Sequence, residues 1–80
     1  MSLPIEVHAR TERQGKLVPV SCVIKGTRYQ IFGAGRRWEE DDGEHLMVMF
    51  PGDRAVELLH ALDGTWALVK DHSNLADRLA

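Results

Sequence analysis

Six short segments in which apolar and polar residues alternate predict an all-β fold. They recur at roughly 8- to 12-residue intervals, turn-forming residues separate them, and no crossover helix is predicted between them. Consecutive strands joined by such short connections pair as a small antiparallel meander. A meander within 80 residues has to bend to bury an apolar face. The sequence therefore predicts a strongly bent sheet or a partly open, SH3-like barrel.

The first two strands are predicted over Ile5–Arg10 and Leu17–Ile24. Apolar and polar side chains alternate in Ile5–Arg10, which is typical of a half-buried strand. Residues 11–16 are polar, include Gly15 and predict a hairpin connection. Pro19 has no backbone N–H, so the second strand is expected to be an edge strand or to carry a bulge.

The central segment Lys25–Glu39 predicts a tight turn followed by a strand that bends. The turn is placed at Lys25-Gly26, and the alternation in Arg28–Phe32 places Tyr29 and Ile31 on the inward face. Glycine tolerates backbone conformations and close approaches that other residues do not. The corner of the bend is therefore predicted at Gly33-Ala34-Gly35.

The last strands are predicted from an inward-facing set and from one ambiguous segment. The inward-facing set is Leu46, Val48 and Phe50. Arg54–Leu62 is rich in helix formers, and Asp53 is a candidate N-cap. Against a helix, the Asp63-Gly64 pair that follows is typical of a two-residue hairpin loop. We interpret Arg54–Leu62 as a strand that pairs with Thr65–Lys70.

The chain is predicted to form a single domain over residues 1–80, with residues 1–4 and 72–80 as flexible or docking tails. Leu75 and Leu79 lie one helical turn apart, so a short C-terminal helix is one interpretation of the second tail. Helices of fewer than about 12 residues are marginal in isolation. Such a helix would therefore have to dock on another surface.

Charge and cysteine content narrow the class of protein. A formal net charge of −2 argues against a surface adapted as a whole to phosphate backbones, although a local basic patch is compatible with it. Cys22 is the only cysteine, so no intramolecular disulfide can form and a reducing, cytoplasmic compartment is expected. No apolar run approaches the roughly 20 residues of a membrane span, so no membrane association is expected.

Four features of the chain resemble a family of short bacterial β domains of uncharacterised function. They are Pro19 before an alternating strand, the turn and strand Gly26–Tyr29, the pair Arg37-Trp38, and a closing hairpin with Trp66 and Leu68. The resemblance covers residues 16–70. Some relatives occur beside or fused to accessory proteins of error-prone DNA polymerases, which implies a DNA-repair or translesion setting. The chain departs from the family at Ile24 and in its carboxylate run, where relatives tend to carry aromatic residues.

Arg28, Arg36, Arg37 and Trp38 form the one basic and aromatic cluster of the sequence. Arginine recognises phosphate through its fork of donors, and aromatic rings stack on bases, so the cluster predicts a ligand-binding site for nucleic acid. The alternative is that Trp38 belongs to the core and the arginines pair with the acidic run Glu39–Glu44. We favour the alternative because these carboxylates repel the phosphates that the arginines would bind.

A second apolar face is predicted on the opposite side of the strands, at Val23, Phe32, Met47, Met49 and Leu59. One small sheet cannot bury both of its faces unless it closes. The face is therefore either the interior of a closed barrel or an interface with another copy or a protein partner. For the interface we single out Val23, Phe32, Met47 and Met49.

Neither metal chemistry nor catalysis is predicted. The acidic run does not have the spacing of a calcium-binding loop, and a solvated turn explains it better. Cys22 is predicted to face inward and His8 and His45 outward, so no metal site, nucleophile–base pair or cofactor is expected. The sequence predicts a non-catalytic interaction module of unknown ligand that binds a protein partner or itself. The alternative is a nucleic-acid-binding accessory domain in DNA repair or translesion synthesis.

Overall fold

The computed structural model describes residues 3–52 and 54–71, which contain seven β-strands and no helix. The strands are β1 (Leu3–Thr11), β2 (Leu17–Ile24), β3 (Thr27–Gln30), β4 (Gly33–Glu40), β5 (Gly43–Phe50), β6 (Arg54–Ala61) and β7 (Trp66–Asp71). The all-β prediction is confirmed. The ambiguous segment Arg54–Leu62 is a strand for nearly its whole length.

The strands form one antiparallel sheet in the order β3-β2-β1-β7-β6-β5-β4. β3 and β4 therefore lie at opposite ends of the order, although only Ile31 and Phe32 separate them in the chain. The Ile31 N–H donates to the Val20 carbonyl of β2 at 2.9 Å, and the Phe32 N–H donates to the Met49 carbonyl of β5 at 2.7 Å. These two residues bridge the ends of the sheet and curl it into a half-barrel, as the predicted meander requires.

The bend of the central strand lies at Ile31–Phe32 and not at Gly33-Ala34-Gly35. The reason is that the backbone changes partner strand between Ile31 and Phe32, so the corner forms at this change of partner. β4 instead carries a bulge, because its register with β5 shifts between Ala34 and Arg37. Neither Gly33 nor Gly35 has a positive φ. The predicted role of these glycines as the corner was wrong.

The core lies on the concave face of the sheet. A row of four leucines crosses it, since Leu46 pairs with Leu58, Leu58 with Leu68, and Leu68 with Leu3. Leu46, Val48 and Phe50 are at most 2% exposed, and Ile31 is buried with them, as predicted. Burial of a leucine-sized side chain contributes about 1.5–3 kcal/mol, so this row is a main source of stability.

Two turns and one bulge show how the sequence sets the register. Lys25 and Gly26 both have positive φ, as a type I′ hairpin turn requires. The register of β1 with β2 shifts between His8 and Ala9, opposite Pro19, and β2 lies between two strands. Pro19 therefore lies beside a bulge. β2 also has no ladder with β3 at Pro19, so the strand is an edge at this point as well, and both predicted features are present. The Asp63-Gly64 hairpin has a longer loop than expected, because the N–H of Ala61 donates to the Thr65 carbonyl across it.

The termini differ in part from the predicted tails. β1 begins at Leu3, so Leu3 and Pro4 are paired with β7. The predicted C-terminal tail, residues 72–80, lies outside the described residues, as do Met1, Ser2 and Asp53. No helix that could cross a membrane is found in the described part of the chain.

Candidate protein-interaction site

Two strand edges that have no strand partner among the described residues meet at the Ile31–Phe32 bridge. β2 pairs with β3 only from Ser21 to Ile24, so the edge at Leu17–Pro19 has no ladder on that side. β4 pairs with β5 alone and forms one end of the sheet. We call these two edges, together with the Ile31–Phe32 bridge where they meet, the seam. An unpaired edge presents N–H and C=O groups that can bind another extended chain.

A cleft of about 260 Å³ lies in the seam beside the bridge. Its exposed lining is part polar and part apolar: Arg10 and Gln30 have polar side chains, and the other lining residues are Val18, Pro19, Val20, Ile31, Phe32, Gly33 and Ala34. Phe32 is 79% exposed, which is unusual for a side chain of this size. The cleft and the exposed ring therefore make the seam the candidate surface for contact with an apolar side chain.

Arg37 spans the seam from the concave face. Its guanidinium donates to both carboxylate oxygens of Glu44, at 3.1 and 2.7 Å, and its Nη1 donates to the Leu17 carbonyl at 3.0 Å. The side chain is 14% exposed. The paired guanidinium lowers the pKa of Glu44, with smaller contributions from His60 and Lys16. Arg37 is therefore committed to a fixed internal pair that links β4 to β5 and β2.

Trp38 lies on the opposite face, where its ring contacts three side chains. It stacks on His45 with centroids 5.6 Å apart, and the Arg36 guanidinium lies 5.3 Å from its centroid. Its indole N–H donates to Glu40 at 2.7 Å. Trp38 is half-buried in this cluster and is not part of the core.

The structure separates the four residues of the predicted basic and aromatic cluster. Arg36 and Trp38 are in contact, Arg37 is on the other face, and Arg28 is exposed in β3 at the far end of the sheet order. The predicted pairing of an arginine with the acidic run is present as Arg37–Glu44.

The predicted apolar interface also falls into two parts. Val23 lies in β2 between the exposed residues Glu6 and Arg28. Met49 pairs with Gly33 beside the Phe32 bridge, and Met47 lies two residues before Met49 in β5. Three strands, β1, β7 and β6, separate β2 from β5 in the sheet order. Only Phe32, Met47 and Met49 therefore belong to one region, next to the seam. Leu59, the remaining residue of the predicted face, is nearly buried on β6.

His45 is the main feature that the sequence did not predict. It is on the outward face, yet it is 4% exposed. Its Nε2 lies 2.7 Å from an Asp42 oxygen and its Nδ1 lies 2.8 Å from a Glu57 oxygen. Ionised carboxylates only accept hydrogen bonds, so these two distances fit a protonated ring that donates from both nitrogens. The bond to Asp42 and then the bond to Glu57 raise the pKa of His45 against the opposing effect of burial.

The remaining candidates do not form a chemical site. His8 is exposed and bonded to Glu6, whereas His60 stacks on Trp66 with centroids 4.2 Å apart. Burial raises the pKa of the Cys22 thiol to about 11, so it is not a thiolate near neutral pH. Within residues 3–52 and 54–71, no group of three or more histidine, cysteine or acidic side chains could hold a metal ion. An acidic cleft of about 300 Å³ lies between Glu39 and Leu62. Apart from its acidic side chains, nothing in the described residues around it indicates a ligand.

Comparison with family models, curated proteins and solved structures found no match to the chain. The resemblance to the bacterial β domains stays a prediction. The geometry of the seam is therefore the basis for inferring a function.

Proposed function

We propose that the protein is a small, non-catalytic interaction module that binds an extended segment of a protein partner along the unpaired edge of β4. The observation that carries this proposal is the seam, in which an open strand edge lies beside the cleft and the exposed Phe32. An extended segment adds to such an edge through main-chain hydrogen bonds, which supply affinity for any sequence. A cytoplasmic location belongs to the same proposal, because Cys22 is a free thiol.

Side chains around the seam supply the specificity. An apolar side chain of the bound segment can contact Phe32 and the apolar wall formed by Val18–Val20. Arg10 and Gln30 can meet a carboxylate or a carbonyl of the same segment at the rim. We therefore expect bound segments to combine one large apolar residue with a nearby acidic one.

The alternative, a nucleic-acid-binding accessory domain, has less support. Exposed Arg28 and Arg36 could contact phosphates, but Arg37 is paired with Glu44. The ring of Trp38 is already stacked on His45 and in contact with Arg36, so it offers little surface to a base. The DNA-repair setting rests on the family resemblance alone.

Selection from a random peptide library, followed by affinity measurement for one selected peptide, tests the proposal. The key variant is Phe32→Ser, and Leu62→Ser is its matched control, since the two side chains are 79% and 81% exposed at different sites. We expect Phe32→Ser to weaken the peptide by about tenfold, or about 1.4 kcal/mol, and Leu62→Ser to leave it unchanged. Backbone amide NMR shifts on peptide addition should concentrate in residues 17–20 and 33–37.

Either of two outcomes would overturn the proposal: a library with no enriched peptide, or a selected peptide that binds wild type and Phe32→Ser equally. A labelled single-stranded oligonucleotide tests the alternative. Its affinity should fall steeply between roughly 50 and 200 mM salt if phosphate contacts dominate. Such binding, lost in Arg36→Glu, would favour the nucleic-acid function.

A further inference from the structure

The free edge of β4 carries a sequence that is complementary in charge to itself. Its last five residues are Arg36, Arg37, Trp38, Glu39 and Glu40, so two cations precede the tryptophan and two anions follow it. Two copies of such a segment, aligned antiparallel, bring the cations of each opposite the anions of the other. Edge strands commonly use charge to prevent pairing. Here the pattern opposes most alignments but permits one.

The geometry of antiparallel pairing identifies that alignment. In an antiparallel pair, two residues that face each other have the same hydrogen-bonding orientation along their edges. When the two strands are identical and related by a two-fold axis, the axis must therefore pass through one residue of the regular stretch, which lies opposite its own copy. An axis at Arg37 would place Arg37 opposite its own copy, and an axis at Glu39 would do the same for Glu39. Like charges directly opposite each other are destabilising. Only an axis at Trp38 avoids both.

An axis at Trp38 also matches the side-chain contacts. It places Arg36 opposite Glu40 of the other copy and Arg37 opposite Glu39. Arg36 and Glu40 both contact the Trp38 ring in the single chain, so their charged groups are already on the same face. The residue opposite its own copy is then the uncharged Trp38, so no like charges face each other at the axis.

We infer that β4 of a second copy of this chain binds to the β4 edge, in antiparallel register about Trp38, and joins two half-barrels through one continuous sheet. This inference rests on the proposed function, because it names the partner of the same edge. The pairing spans only five residues and so has a small interface. The dimer is therefore weak and exchanges with monomer. Its affinity falls as salt rises, since Arg36 and Glu40, which face each other across the interface, are exposed.

Sedimentation equilibrium of the full chain and two charge-reversal variants tests this inference. Arg36→Glu places Glu opposite Glu40, and Glu40→Arg places Arg opposite Arg36, so each variant alone should remain monomeric where the wild type dimerises. An equimolar mixture of the two should dimerise again, because each Arg–Glu pair then reforms across the interface. Arg28→Glu is the matched control, since Arg28 is exposed on β3, and it should dimerise like wild type.

If mixing restores the dimer, both variants must be folded. The failure of each variant to dimerise alone is then due to the like charges across the interface and not to damage of its fold. A wild type that is monomeric at every concentration, or a mixture that stays monomeric, overturns the inference. If wild type is monomeric but a selected peptide still binds and depends on Phe32, the proposed function stands without the homodimer. If peptide binding is absent as well, both fail.

Discussion

Arg37 and Trp38 are consecutive in β4, but their side chains lie on opposite faces of the sheet. Arg37 pairs in register with the core residue Leu46 and reaches Glu44 and Leu17, whereas Trp38 pairs with His45 and stacks on its ring. Alternation along a strand makes this separation unavoidable. The two residues therefore have different contacts: Arg37 links β4 to β5 and β2, and Trp38 stacks on His45 on the opposite face.

The internal link predicts a clear difference between two neighbouring arginines. Arg37→Lys keeps the charge but loses the fork that binds both Glu44 oxygens and the Leu17 carbonyl. We expect it to lower the free energy of unfolding by about 1–3 kcal/mol, measured by urea denaturation. Arg36→Lys is the control and should cost less than about 0.5 kcal/mol, because Arg36 is exposed. Equal losses in both variants would show that the fork geometry is unimportant.

The strands could be predicted from sequence because each depends on local pattern. The inward set Leu46, Val48 and Phe50 follows from alternation, and Lys25-Gly26 follows from turn chemistry. The seam could not be predicted, because it depends on where Ile31 and Phe32 change partner strand. The contact of His45 with Glu57 likewise depends on the register of β5 with β6, which no local pattern specifies.

The hydrogen bonds of His45 to Asp42 and Glu57 predict that stability falls as the pH rises above the ordinary pKa of histidine. The pKa of His45 is raised in the folded state, so its contribution is fully present below the unfolded pKa of about 6.5. That contribution is lost as pH rises through the higher folded pKa, since deprotonation removes one donor from a site with two carboxylates. Urea denaturation at a series of pH values above 6 should show this decline in wild type and its loss in His45→Gln.

The exposed His8 supplies the control for this pH dependence. His8→Gln should keep the wild-type decline, because His8 is on the surface of β1, away from the Asp42–His45–Glu57 cluster. If the free energy of unfolding depended on pH in the same way in wild type and in His45→Gln, the hydrogen bonds of His45 would not explain the decline. NMR titration of the His45 ring gives a second measurement, in which its pKa should lie above the ordinary value for histidine.

The turn between β2 and β3 predicts a stabilising substitution. Lys25 has a φ of 49°, in the left-handed region that costs most side chains free energy. Asparagine tolerates this region and is preferred at this position of a type I′ turn. Lys25→Asn should therefore raise the free energy of unfolding by about 0.5–1 kcal/mol. Lys70→Asn, within β7, should not stabilise, and a gain there equal to that at Lys25 would contradict the backbone explanation.

Gly43 and Gly35 predict opposite results for the same substitution. A Cβ on Gly43 would clash with the His60 carbonyl oxygen, and the φ of 140° at Gly43 is one that side chains rarely adopt. Gly43→Ala should therefore lower the free energy of unfolding by about 2–4 kcal/mol, because backbone strain and the close contact both act on backbone that cannot move away easily.

At Gly35 the atom nearest to an added Cβ would be 3.9 Å away, and φ is not positive. Gly35→Ala should be neutral or stabilise by up to about 1 kcal/mol, because alanine restricts the unfolded chain. Thermal and urea denaturation of both variants measure the difference. A large loss of stability in Gly35→Ala would mean that the β4 bulge requires glycine. That result would support the sequence-based prediction of a glycine-dependent corner at Gly33-Ala34-Gly35.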